Sequence, residues 1–100
     1  MKEFNVRILP AAQNDFLDIE DYLNTLSVEA AAQYYGLIME KMGALATTPD
    51  CYPLVRDAQL RLRGYRTLQI EDYIVFYIIH GSNVEIRRIL YARRQFERLI

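Results

Sequence analysis

The sequence predicts an α+β fold in the order β-α-α-β-β-β, and three observations carry that prediction. Residues 3–9 (EFNVRIL) alternate, with Phe4, Val6 and Ile8 on one side and Glu3, Asn5 and Arg7 on the other, the period of a half-buried strand. Residues 11–46 carry two apolar stripes at helical spacing. Residues 61–92 hold three β-rich runs punctuated by Glu71-Asp72 and Gly81-Ser82. An isolated strand cannot satisfy its own backbone, so the first strand must join the last three in one sheet. The expected architecture is a helical hairpin packed on one face of a four-stranded, mostly antiparallel sheet, with the other face left open.

The elements follow in order. Pro10 ends the first strand and suits the first turn of a helix, where its missing N–H has no partner to lose. Ala12, Phe16, Ile19, Leu23 and Leu26 step by 4, 3, 4 and 3, which predicts a helix over 11–25. Its outer face carries Asp15, Asp18, Glu20 and Asp21, read as a solvated acidic face rather than a metal site because no histidine lies near. Ser27 is placed to cap a second helix over 28–46, whose stripe is Ala31, Tyr35, Ile38, Met42 and Leu45. Residues 47–60 contain two prolines and no period, and read as a loop. Strands are expected over 61–70, 73–80 and 83–92. The middle one is apolar on both faces and therefore central, and Gly81 can supply the positive φ of a tight turn. Alternation puts Arg66 with Leu68 and Ile70, and Arg88 with Val84, Ile86 and Leu90. Gln95–Ile100 reads as a turn or two of helix.

Composition narrows the function classes. One hundred residues suit a single domain over 1–100, and 52% hydrophobic with 25% charged residues argues against disorder. Cys51 is alone, so it forms no internal disulfide, and its acidic neighbour Asp50 does not favour a reactive thiolate. The longest apolar run, Ile74–Ile79, is too short to span a bilayer, and the N-terminus lacks a signal pattern. A soluble, cytoplasmic protein without membrane contact is expected. Charge is divided. Residues 1–55 hold three basic and eight acidic residues, net −5; residues 56–100 hold nine arginines and five acids, net +4. Arginine forks fit carboxylate and phosphate, so an anionic partner is expected, either a nucleic acid or an acidic peptide.

The stretches Tyr73-Ile74-Val75-Phe76-Tyr77, Val84-Glu85-Ile86 and Tyr91-Ala92-Arg93-Arg94-Gln95-Phe96, in this element order, resemble the RelE/ParE family of toxins from bacterial type II toxin–antitoxin modules. The resemblance covers the whole chain. It implies one of two activities: RelE-like cleavage of messenger RNA on the ribosome, or ParE-like poisoning of DNA gyrase without nuclease chemistry. Either type is neutralised by a cognate antitoxin, so a hetero-oligomer with that protein is expected.

Metal-free RNA cleavage needs a base, an acid and cations around the developing phosphorane. By resemblance, Arg66 stands where RelE-like members carry a strand lysine, Tyr91 where many carry a histidine, and Arg93 or Arg94 at the family's exit arginine. Two positions depart: Leu68 replaces a second strand lysine, and Ile74 replaces the arginine after the strand tyrosine. His80 is the only histidine and lies at a turn; Glu85 or Tyr91 remains as a base. These departures, with the Ala-Arg-Arg-Gln-Phe exit, favour a ParE-like gyrase inhibitor over a RelE-like messenger RNA interferase. An inactive toxin-fold binding partner or co-repressor is a third reading. Arg66, Arg88, Tyr91, Arg93 and Arg94 are the expected target- or antitoxin-binding residues. In the nuclease alternative Arg66 and Arg94 would stabilise the transition state, and Tyr91 would act as acid or base. No cofactor or metal is expected.

Overall fold

The structure is a computed structural model in which residues 3–92 are described. Strand β1 (Asn5–Ile8) leads into helices α1 (Pro10–Leu26) and α2 (Val28–Gly43); after two short 3-10 turns come helix α3 (Ala58–Leu62) and strands β2 (Arg66–Ile70), β3 (Tyr73–His80) and β4 (Asn83–Tyr91). The sheet order is β1-β4-β3-β2. β1 runs parallel to β4, and the other two pairings are antiparallel. The expected helical hairpin and four-stranded, mostly antiparallel sheet are therefore present, and Gln95–Ile100 lies outside the described residues.

Local chemistry accounts for the ends of the elements. Pro10 occupies the first turn of α1, and the Ser27 hydroxyl accepts the Ala30 N–H at 3.2 Å to start α2. The β3–β4 turn is Gly81-Ser82, with Gly81 at φ 62°. The β2–β3 turn forces a left-handed backbone on a side-chain-bearing residue, Glu71, at φ 53°.

The main core lies between the hairpin and the sheet. Ile38, Met42 and Leu45 from the helical side meet Leu68, Val75, Tyr77 and Ile86 from the strands. Tyr77 is buried, and its hydroxyl donates to the Pro49 carbonyl at 2.5 Å. That bond ties the central strand to the segment after α2. Burial raises the Tyr77 phenol well above the ordinary tyrosine range, against the opposing pull of Arg66.

Three expectations are corrected. The other sheet face is not open: Val55, Leu60 and Tyr65 form a second small core there with Phe76 and Leu90. Second, the run from Arg61 is not all strand. Asp57 accepts the Leu60 N–H at 3.0 Å and caps α3, which turns Arg61 and Leu62 into helix; Gly64 at φ 84° then reverses the chain into β2. Third, strict alternation fails in β4. Tyr77 pairs with Ile86, but Phe76 pairs with Arg88, so Arg87 is an extra residue opposite the Phe76/Tyr77 step. This bulge puts Ile86 and Ile89, three apart, into the same core, and sends Leu90 to the opposite face.

Candidate functional site

Arg88 sits at the point where β4 loses its β1 neighbour. The β1 register ends at Ile8↔Ile86, and the chain then enters α1 after the Leu9 N–H donates to the Ile86 carbonyl. The freed edge of β4 is closed by Asp15 from the second turn of α1. Its Oδ2 accepts from Arg88 Nε at 2.6 Å and from the Ile89 N–H at 3.0 Å; its Oδ1 accepts from Arg88 Nη2 at 3.0 Å. The two side chains are only 12% and 24% exposed. The hydrogen bond from Arg88 to Asp15 raises the guanidinium further above its usual range, outweighing burial, which acts the other way. Asp15 is thus not part of the solvated acidic face that helical periodicity suggests. Nothing local marks it, because its partners lie more than 70 residues away.

Tyr91 ends β4 beside an aromatic series. Its ring lies 5.9 Å from Tyr73, which in turn meets Tyr34 edge-on at 6.0 Å. These rings line one wall of a groove of about 490 Å3, whose other wall is the C-terminal half of α1, including Tyr22 and Leu26. Tyr22, Leu26 and Tyr91 are exposed along it, and Asp18 and Asp72 stand among its lining residues. Burial, and then the neighbouring negative charge of Asp72, raises the Tyr34 phenol; burial also raises that of Tyr73. The groove therefore offers aromatic surface with carboxylates at hand, suited to an amphipathic segment carrying cationic groups.

Arg66 is elsewhere. It pairs with Tyr77, on the same side as the buried Leu68 and Ile70, and its Nη1 donates to the Tyr52 carbonyl at 2.6 Å and the Asp50 carbonyl at 3.4 Å. Tyr91 pairs with Tyr73, four residues back along β3 from Tyr77, so about 13 Å of strand separates the two positions. The fold therefore gathers Arg88 and Tyr91 around one end of β4 and leaves Arg66 apart from them. Arg93 and Arg94 lie outside the described residues.

The remaining nuclease candidates meet at the opposite end of the sheet. His80 Nδ1 stands 3.7 Å from Glu85, which accepts from Arg87 at 3.2 Å. Glu85 lies six residues before Tyr91 on β4, about 20 Å along the strand. The His80 side chain is 80% exposed, with little around it to shape a site. In the sequence His80 and Glu85 stand apart; the register pairs His80 with Asn83 and Glu85 with Ile78, so the two meet on a diagonal across the two-residue turn. Cys51 is a free, exposed thiol. Among the described residues, no three His, Cys, Asp or Glu side chains are gathered to hold a metal ion, and no helix is long and apolar enough to cross a membrane.

This geometry has relatives among known proteins. The chain matches the family described as the ParE toxin of the type II toxin–antitoxin system parDE over residues 6–96. No curated protein matches it. Among solved structures, the chromosomal ParDE system of P. aeruginosa superposes with a TM-score of 0.75 at 21% identity, covering 91% of this chain and 98% of that one. The toxin–antitoxin complex RelBE2 of Mycobacterium tuberculosis superposes with a TM-score of 0.60 at 20% identity, covering 89% and 98%. At such identities these likenesses concern the fold, whereas the family match spans nearly the whole sequence. The chain belongs to the ParE toxin family of type II toxin–antitoxin systems.

Proposed function

We propose that this toxin acts in the ParE manner, by poisoning DNA gyrase, and that a cognate antitoxin neutralises it. The observation that carries the choice over messenger RNA cleavage is the scatter of the groups a metal-free nuclease would need. Arg66 is spent on the carbonyls of Asp50 and Tyr52, Tyr91 lies at one end of β4, and His80 with Glu85 lies at the other. General acid, general base and phosphate-binding cation must all lie within hydrogen-bond reach of one scissile phosphate. The ParE family match points the same way.

The groove beside Tyr73 and Tyr91 is the natural seat for part of the antitoxin, since an amphipathic helix or strand can bury its apolar side against the exposed Tyr22 and Leu26. The ParDE and RelBE2 structures, each containing a toxin with its antitoxin, support such a partner. Arg93 and Arg94 remain the proposed target-recognition residues, with Arg88 and Tyr91 leading the chain to them.

The test compares two readouts from the purified toxin. Gyrase and supercoiled plasmid should yield linear DNA on protein denaturation, while ribosomes translating a defined message should leave it intact. Message cut on the ribosome, with no gyrase-dependent breaks, would reverse the assignment; neither effect, with antitoxin binding retained, would make the protein an inactive binding partner. The double substitution Arg93→Ala, Arg94→Ala is expected to lower gyrase-dependent breakage at least about tenfold, the loss of roughly 1.4 kcal/mol of recognition.

A further inference from the structure

The arginines around α3 have no role in the reading above. Arg56, Arg61 and Arg63 are exposed, and no carboxylate lies within ion-pair distance of them among the described residues. They sit on the sheet face opposite the helical hairpin, beside the second core. The Val55 N–H donates to the Tyr65 carbonyl at 2.9 Å, which sets Arg56 next to the Gly64–Tyr65 bend. The Tyr65 ring holds two cations, Arg63 at 5.2 Å and Arg87 from β4 at 5.9 Å. Stacking on a buried ring restricts these long side chains before any ligand arrives, which lowers the entropy lost on binding.

We propose that this face binds the phosphate backbone of a double-stranded nucleic acid, through Arg56, Arg61 and Arg63, with Arg87, already paired to Glu85, held beside them on the Tyr65 ring. Guanidinium forks bind phosphate oxygens bidentately. An acidic peptide is the competing ligand, and the geometry disfavours it. The usual route for an extended peptide is addition to a sheet edge, but the part of the β2 edge beside these arginines is already occupied: Leu54 bridges Arg66, and the Thr67 N–H donates to the Pro53 carbonyl at 3.2 Å. Phosphate binding needs no free edge and no cleft, only cations on an accessible surface. The charge division of the chain adds orientation, since Asp18 and Asp21 on α1 are exposed on the far side and would be turned away from a polyanion. The inference is independent of the gyrase reading; either can fail alone.

The test uses the full chain and two labelled 20-base-pair duplexes of one sequence, DNA and RNA, with binding followed by anisotropy from 50 to 200 mM salt. Binding is expected at 50 mM salt, and the two duplexes identify which backbone is preferred. The variant Arg56→Ala, Arg61→Ala leaves the Tyr65 stacking intact; it should weaken binding at least about tenfold and lower the log–log salt slope by about 2, one for each arginine withdrawn from a phosphate. Adding Arg63→Ala should deepen both effects. The control Arg7→Ala, Lys41→Ala makes the same change in net charge elsewhere and should bind like the parent. Absence of binding at 50 mM salt, equal loss in the control, or competition by poly-glutamate as effective as unlabelled duplex at equal charge would each overturn the proposal.

Discussion

Asp15 shows how much one side chain can decide. A single carboxylate accepts from the Nε and Nη2 of Arg88 and from the Ile89 N–H. Removing it leaves a part-buried cation and a strand-edge N–H without that acceptor. Asp15→Ala is therefore expected to lower unfolding free energy by about 2–3 kcal/mol, measured by urea titration. Asp18→Ala, the same change on the exposed part of the helix, should stay within about 0.5 kcal/mol. Glu71 carries strain of the opposite sense, because at φ 53° its Cβ crowds the backbone. Glu71→Gly is expected to stabilise by about 0.5–1 kcal/mol in the same titration. The acidity of Asp15 and Glu71 is plain in the sequence. Their different fates are not, since each depends on a backbone position or partner set by the rest of the fold.

At the scale of elements, the bulge in β4 and the short helix α3 are the decisive departures from simple periodicity. The bulge shifts the facing of the strand, so that Ile89 and Tyr91 face the helical hairpin while Leu90 joins the second core. Without it Tyr91 would project from the far face and could not meet Tyr73. Helix α3 exists because Asp57 caps it and Leu60 anchors it under Val55 and Phe76. Leu60→Ala is expected to cost about 2–4 kcal/mol. Because this core holds the α3 arginines in place, the same variant should also weaken duplex binding while leaving the hairpin side intact. Ser27, Pro10 and Gly81 are legible in the sequence because each acts on its immediate neighbours. The Asp57 cap is not, since Arg61–Ile70 also satisfies strand alternation and the two periods compete over a short run.

Across the whole molecule, the buried and part-buried tyrosines tie stability to pH. Burial raises the phenols of Tyr34, Tyr73 and Tyr77 above the ordinary value of 10.0. Below pH 10 these groups are neutral in both folded and unfolded chains and add no pH dependence. Above it, the unfolded chain releases protons that the folded chain retains, so stability falls as pH rises from about 10 toward the folded-state values. Urea midpoints measured between pH 8 and 11 should decline over the upper part of that range. Tyr77→Phe should flatten the decline, at a cost of about 1 kcal/mol at pH 8 from the lost bond to Pro49. The same molecule keeps exposed acids on one side, at Asp18 and Asp21, and exposed arginines on the other, at Arg61 and Arg63. That separation gives a chain of net charge −1 a surface able to meet a polyanion.

From the sequence alone come the order of the strands and the two long helices, the helical hairpin, the central position of β3 and the family resemblance. These rest on apolar periodicity, capping residues and local motifs, all of which act over a few positions. Only the tertiary structure decided which sheet face carries which residues, because one unpaired residue at Arg87 reverses the facing of everything after it. It also decided which charges are engaged. Arg88 and Arg66 look alike in sequence to Arg61 and Arg63, yet the first pair is held by Asp15 and by the Asp50 and Tyr52 carbonyls, and the second pair is exposed without carboxylate partners. The partners that make this difference are brought close only by closure of the chain, and no local pattern encodes them.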